Sequence, residues 1–574
     1  LADGCSSDDA VRYFHKLRLE AIGSHLESDN PDEDVPSALV LYIRTLQASK
    51  IILSRRLSDI IAKLTTRPLL SDPEIRSLDT LGIDSLGRWV TADINNFTPW
   101  IKQSEFSKQG AEKVIKQWSS LAFETFIKDS QKSLANSIDF SGLLSLRKKT
   151  LDTWLESWSL TPTHSSLGVL EGIRTVFNGQ LTRILGDEAK KLEYIGQRIS
   201  STISEWESKD HANVQRLWDE DLISMDYSNG AAHFKQVVVN RLLGRNEDVS
   251  TVLEDYQLWL SSIEKSGELV DGMCSLRWPD VLDEDEDDLD IDIAATLNED
   301  DPRILSEALQ KAVQEAFNHL QSSFSDIFSS FGSSNQSQKA AFMLRVVRHV
   351  RRGIPTAFVS SDFGFSSDIV PKLQDMLIAE IVAHTGQFAI PTDPNAKVPG
   401  RTLWEGEPEL PVQPSAFAFK FLRHLMGTMD QCGPDLWDQS TVKVLKEAFQ
   451  GSVATSISSA LGELEASSPA EETRKSEESE ESQPETAEST EQERYHNLRD
   501  RKIQLCFDTA FFRSAFASKA QPEEQNQLAG TFDRIRETLG SSAQDEVTTM
   551  EKTAVEYWRR TKLLFGLLGV DSID

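Results

Sequence analysis

Few residue patterns in this chain could support chemistry, and each has a structural reading beside it. The string Leu81-Gly82-Ile83-Asp84-Ser85-Leu86 sets a serine hydroxyl at a helix start, a position able to carry a phosphopantetheine arm. Asp84 or Ser85 equally caps a helix whose apolar face takes in Leu86, Trp89 and Val90, and the surrounding long helices favour the cap. A second candidate is the basic run Arg345, Arg348, His349, Arg351 and Arg352, which could hold phosphoinositide headgroups or an acidic partner. Val346, Val347 and Val350 occupy the other face, so an ordinary solvated helix surface is the favoured expectation.

Enzyme signatures are missing. The ten histidines are dispersed, and none forms H-E-x-x-H or sits beside a cysteine at zinc-ligand spacing. Neither G-x-x-x-x-G-K-[ST], nor a strand followed by G-x-G-x-x-G, nor G-x-S-x-G occurs. Cys5, Cys274, Cys432 and Cys506 lie far apart, which fits a reducing compartment better than a disulfide framework. No catalytic residue, cofactor or metal is assigned, and the chain is expected not to be an enzyme.

Helical periodicity dominates the elements that would position any site. Leu39, Tyr42, Ile43, Leu46, Leu53, Leu57, Ile60, Ile61 and Leu64 recur at three- and four-residue steps, bracketed by Pro36 and Pro68. Val114, Trp118, Leu121, Ala122 and Phe126 share a face, and residues 143–160 and 167–208 read the same way. Asp72-Pro73 and Thr98-Pro99 mark turns or helix starts. The clearest helix opens at Asp301-Pro302, with Asp301 as N-cap, and carries Leu305, Leu309, Val313, Phe317, Leu320, Phe324, Phe328 and Phe331. Gly353 and Pro355 stop the next one. Strand signals are weak; Ala357-Phe358-Val359 is read as loop. The predicted class is all-α, with antiparallel helices joined by short loops.

The last helix has a capping box expected at Ser541 and Gln544. Met550, Ala554, Trp558, Thr561, Leu564 and Leu568 form its stripe, widened by Tyr557, Leu563, Phe565 and Leu567. A stripe this wide closes a core and leaves surface for a partner subunit. Trp558, Leu563, Leu564, Phe565 and Leu567, with Phe511 and Phe512, are therefore the candidate partner-contact residues.

A formal net charge of −31 over 574 residues repels nucleic acid and anionic membrane, which leaves proteins as the expected partners. No stretch approaches the roughly 18 apolar residues of a membrane span. No signal peptide is read at the start, and the missing initial Met is read as an absent N-terminal segment. Asp280 to Asp292 holds nine acids and no base, and residues 466–492 are rich in Ser, Glu, Thr and Pro. Both are expected as solvated linkers. They divide the chain into helical bundles at 1–160, 161–280, 302–465 and 493–574, with linkers at 281–301 and 466–492. No fixed-period repeat is visible.

Three strings then occur in a telling order. Leu410-Pro411-Val412-Gln413-Pro414-Ser415 leads into Phe417-Ala418-Phe419-Lys420-Phe421-Leu422, followed by Gly433-Pro434 and a helix around Val444, Leu445 and Phe449. Arg501-Lys502-Ile503-Gln504-Leu505-Cys506-Phe507-Asp508 continues to Phe511-Phe512. The third is Arg560-Thr561-Lys562-Leu563-Leu564-Phe565-Gly566-Leu567. In order and spacing these resemble the P-x-x-P-S turn, the "Q-L-x-x-D" helix and the terminal R-T-x-x-L-F-G string of the family of first subunits of the conserved oligomeric Golgi complex, in a fungal form. The two acidic tracts stand as insertions relative to that family, and its N-terminal assembly segment is expected to be missing.

The resemblance implies an elongated rod of consecutive helical bundles, as in subunits of multisubunit tethering complexes. It implies a peripheral scaffold on the cytosolic face of Golgi membranes, tethering vesicles in retrograde intra-Golgi transport and so maintaining glycosylation. Its implied partners are the second, third, fourth and eighth subunits of that complex, with SNARE, Rab or golgin proteins reached through the complex. The alternatives are a subunit of another rod-like tether such as the exocyst, or a carrier-type module using Ser85.

Overall fold

The regular elements of the computed structural model are helices; among the described residues the one β-feature is an isolated antiparallel bridge between Glu405 and Leu410. The structure describes residues 7–569 except 28–29, 55–58, 60–61, 64–65, 84–88, 99–107, 164, 207–219, 225, 229, 280–292, 333, 361, 386–389, 394, 468–484, 518–526 and 541–542. Ser85, Ser541 and the tract 280–292 therefore lie outside the described residues, as does most of 466–492.

The longer helices of the first half are α1 (Ser7–Leu26), α2 (Pro31–Ile52), α3 (Lys108–Leu134), α4 (Phe140–Glu156), α5 (Ser166–Lys190), α6 (Leu192–Ser204), α7 (Ala232–Leu242) and α8 (Glu247–Gly272). Those of the second half are α9 (Asp301–Ser329), α10 (Gln336–Arg352), α11 (Ile369–Thr385), α12 (Ala416–Cys432), α13 (Gln439–Ala466), α14 (Glu485–Ala515), α15 (Gln527–Leu539) and α16 (Gln544–Thr561). Residues 485–492, expected as linker, form the first turns of α14, where Glu and Ala are good helix formers.

Capping side chains set many of the starts, because the first backbone N–H groups of a helix have no partner within it. Asp72 accepts from Glu74 N and Ile75 N, Asp139 from Ser141 N and Gly142 N, Ser165 from Gly168 N, and Asp438 from Thr441 N. One start departs from expectation. Pro36 does not precede α2 but lies inside it, since Pro31 already occupies the first turn with Asp32, Glu33 and Asp34. Those carboxylates complement the positive end of the helix, and an internal proline so near the start removes only one backbone bond.

The chain forms two compact units, one comprising residues 1–192, 259–316 and 355–360 and the other residues 193–258, 317–354 and 361–574. The first is built on α1–α5, with α2 packed on α1, α3 and α4. Trp118 of α3 donates its indole N–H to the His15 carbonyl at 2.9 Å and stacks on the His15 ring at 5.2 Å. The Tyr42 and Ser119 hydroxyls share a buried hydrogen bond of 2.8 Å. These polar groups are paired because an unpaired one would cost about 1–3 kcal/mol in such a core.

Asp301 overturns its assignment as an N-cap. A π-helical turn over Thr296–Asp300 runs directly into α9, so Asp301 stands within continuous helix. Its carboxylate is fully buried and binds Arg147, the Arg174 Nη2 at 2.6 Å and the Asn178 amide at 2.8 Å. Arg147 is itself 1% exposed, with its guanidinium carbon 6.0 Å from the Trp278 ring. The apolar stripe of α9 is as expected at Leu305, Leu309, Val313, Phe317, Leu320 and Phe324, all buried.

In the second unit α11 packs on α10, α12 and α13, and α14 packs on α13, α15 and α16. One continuous core runs through these helices, including Phe421, Phe449, Phe507, Phe511, Phe512, Phe516, Trp558 and Phe565. The Phe512 ring meets Phe421 edge-on at 5.6 Å and stacks on Phe516 at 6.0 Å, both favourable aromatic geometries.

Candidate functional site

The three strings singled out by their order meet in this second core. Ser415 closes the Pro411–Ser415 turn and starts α12, its Oγ accepting from Ala418 N at 3.2 Å. Its own backbone N–H donates to Asp508 Oδ1 at 2.8 Å. Gln504, one turn before Asp508 on α14, donates to the same oxygen at 3.1 Å and to the Gln413 carbonyl at 3.3 Å. Burial pushes the Asp508 carboxyl up to about 6, against the opposing pull of Ser415 and Gln504.

A cavity of about 80 Å³ lies beside this carboxyl, walled by Ile390, Val398, Phe417, Leu464 and Leu505. Arg501 also lines it, but its guanidinium is engaged by the Pro391 and Ala396 carbonyls at 2.7 and 2.8 Å. Desolvation lowers the Arg501 pKa. Periodicity gave no signal for this cavity, because the loop holding Ile390 and Val398 reaches α14 only through the fold.

The terminal string divides sharply. Phe565 packs on Trp558 at 5.5 Å and on Phe419 at 5.2 Å, while Phe511 meets Trp558 edge-on at 5.6 Å. Phe511, Phe512, Trp558 and Phe565 are at most 3% exposed, so four of the seven proposed contact residues are core and unavailable to a partner. Leu563, Leu564 and Leu567 face outward at 88%, 64% and 39% exposure. The cause is local. α16 ends at Thr561 in a tight 3-10 segment, and Gly566 adopts φ +50°, which turns Phe565 and Leu568 inward and the other leucines out. The helical stripe drawn through Leu564 ends where the helix does.

The basic run is solvated only in part: Arg351 and Arg352 are exposed, whereas Arg345, Arg348 and His349 are half-buried. Arg345 and Arg348 grip Asp435, with Nη2–Oδ1 and Nη2–Oδ2 distances of 2.9 and 2.6 Å, and Arg345 also donates to the Cys432 carbonyl at 2.8 Å. Arg351 donates to the Phe365 carbonyl at 2.8 Å. Burial and the cations Arg245 and Arg348 hold His349 below its usual range. Asp435 follows Gly433-Pro434, and its 87-residue separation from Arg348 kept the pair out of sequence reach.

A larger groove of about 290 Å³ runs between the Glu405–Val412 hairpin and α16, rimmed by Glu405, Glu407, Asp545 and Glu546 over Leu410 and Met550. Among the described residues no group of three His, Cys, Asp or Glu side chains could hold a metal, and no helix is long and apolar enough to cross a membrane. Cys274, Cys432 and Cys506 are free thiols. Fold and site together define an all-α helical-bundle protein whose second unit presents three outward leucines beside a closed aromatic core. No family model, curated protein or solved structure matches the chain.

Proposed function

We propose that the chain is a non-catalytic scaffold subunit of the conserved oligomeric Golgi complex, tethering vesicles in retrograde intra-Golgi transport. The observation that carries this reading is the exposed leucine group Leu563, Leu564 and Leu567, set on the end of a bundle whose aromatic core is already closed. Three large apolar side chains held out together beside a completed core form a small contiguous patch that another protein can cover. Joining of the P-x-x-P-S turn to the "Q-L-x-x-D" helix through Ser415 and Asp508 adds support, since the motifs behind the resemblance then form one structural unit. In this reading the chain acts on the cytosolic face of Golgi membranes, and the leucines dock a neighbouring subunit.

The test is affinity purification of the full chain from cell extract, with bound proteins identified by mass spectrometry. Recovery of the second, third, fourth or eighth subunit is expected, and Leu563→Asp with Leu564→Asp should lose at least one of them. A folded wild-type chain that recovers none of these subunits would overturn the reading.

A further inference from the structure

We propose that the groove between the Glu405–Val412 hairpin and α16 docks a basic peptide segment of another protein, one in which a leucine-sized apolar side chain is flanked by lysine or arginine. This goes beyond the scaffold reading and does not depend on it.

Both walls of the groove are fixed by the fold. Glu405 and Leu410 exchange two backbone hydrogen bonds of 3.0 and 2.9 Å, and Gly406 turns the hairpin at φ +94°. Arg401, just before the hairpin, grips Glu409 at 2.7 Å and Asp500 of α14 at 2.7 Å, which fastens this wall to the bundle. The opposite wall is the first half of α16, anchored in the core by Val547 and Met550. Walls already in place spare a ligand the cost of ordering them.

Size and floor set the apolar part of the ligand. A cavity of roughly 150 Å³ accepts benzene. The groove measures about 290 Å³, so one leucine or phenylalanine side chain enters with space for the backbone beside it. Leu410 and Val412 line it half-buried, Pro408 is exposed, and Thr549 and Thr553 add their methyl groups. An apolar side chain laid on that floor removes water from it.

The rim sets the charge. Glu405 and Glu407 stand on one wall, Asp545 and Glu546 on the other, and no lysine, arginine or histidine lines the groove. Arg499 reaches Glu546 at 3.8 Å, while among the described residues Glu405, Glu407 and Asp545 form no ion pair. An acidic segment would be repelled from both walls, whereas one with a cation on each side of its apolar residue meets carboxylates on each wall. A bare metal ion fits less well, because among the described residues no three such groups come together as ligands and the floor would stay wet. The net charge of −31 draws every cationic peptide toward the chain, so the apolar floor is what distinguishes a site from the general field.

The full chain is titrated with N-acetylated, C-amidated Gly-Arg-Leu-Lys-Gly and observed by saturation-transfer NMR. It should bind about tenfold more tightly than Gly-Gln-Leu-Gln-Gly or Gly-Glu-Leu-Glu-Gly, which test the rim, and than Gly-Arg-Gly-Lys-Gly, which tests the floor. Raising salt from about 50 to about 500 mM should weaken binding about threefold or more, since the rim is open to screening. Glu405→Gln with Glu407→Gln, both at exposed positions, should weaken it about fivefold. Thr549→Trp should abolish it by filling the groove. Leu563→Asp with Leu564→Asp, beyond the far end of α16, should leave it unchanged, which separates this groove from the leucine patch. Far-ultraviolet circular dichroism confirms the fold of each variant that is compared. The proposal falls if the basic peptide does not bind, if any control peptide binds as tightly, if a folded groove variant binds like the wild type, or if the leucine variant loses binding.

Discussion

Ser415 and Asp508, ninety-three residues apart, are joined by a 2.8 Å hydrogen bond from a backbone N–H to a buried carboxyl. Because Ser415 is also the N-cap of α12, this bond fixes the helix start from outside while the Ser415 Oγ fixes it from within. One ionisable side chain thus ties the start of α12 to α14, beside the Phe421–Phe512 contact further along.

That arrangement makes stability depend on pH. The folded carboxyl keeps its proton up to about pH 6, whereas an unfolded Asp releases it near ~3.9. Between those values the native state binds more protons, so this group's contribution falls as pH rises from about 4 to 6 and is flat above. The loss amounts to about 3 kcal/mol. Asp508→Asn cannot ionise, yet its amide oxygen can still accept from Ser415. Relative to wild type the variant should therefore gain stability between pH 4 and 7, as measured by amide hydrogen exchange in α12. A pH-independent difference would refute the assignment.

Asp300 and Asp301 are neighbours with opposite roles. Asp300 pairs with Arg303 at 3.2 Å in solvent, while Asp301 is fully buried against Arg147 and Arg174. Asp301→Ala strands a guanidinium that is 1% exposed and should destabilise the first unit by about 3–5 kcal/mol. Asp300→Ala should cost less than about 1 kcal/mol. Urea unfolding of the two variants compares them directly, and equal midpoints would contradict the buried cluster.

Those two residues also mark how far the sequence could be read. The stripe from Leu305 to Phe324 was legible because burial follows helical spacing, which is local. The turn ending at Ser415 was legible as leading into a helix, but the cap that Ser415 supplies to α12 was not read from it. The partners of Asp301 were not, since Arg147 and Arg174 lie 154 and 127 positions away and no local rule joins them. Arg345 and Arg348 misled in the same way, because charge on a helix is exposed by default until a buried Asp435 is known. The leucines of the last segment were assigned by extending a helical period past Thr561, where the backbone leaves the helix.

Gly433 stands against the ion pair that fastens α10. Its φ is +117°, and an added Cβ would lie 2.6 Å from Asp435 Oδ1 and collide with the Arg345 guanidinium. Gly433→Ala therefore meets both a strained backbone and a clash with a buried charge pair. A loss of about 2–4 kcal/mol is expected, combining strain with partial loss of the pair. Thermal unfolding checks it. Gly427→Ala, at a helical position with nothing within 4 Å of the added Cβ, should be neutral or stabilising.

Trp558 and Leu563 separate stability from recognition. Trp558 is 3% exposed and stacks on Phe565, so Trp558→Ala removes a large buried ring that its neighbours cannot refill. The expected cost is about 3–5 kcal/mol. Leu563 is 88% exposed, and truncating it should change stability by less than about 0.5 kcal/mol. If the outward leucines dock another subunit, the same Leu563→Ala should weaken capture of that subunit while leaving the unfolding midpoint in place. Trp558→Ala would lower both together, because the segment that presents the leucines is anchored through Phe565. Unfolding curves and quantitative pull-downs on the two variants therefore form a crossed test. Loss of stability in Leu563→Ala would mean that the leucine belongs to the core after all, and unchanged capture would remove it from the docking surface.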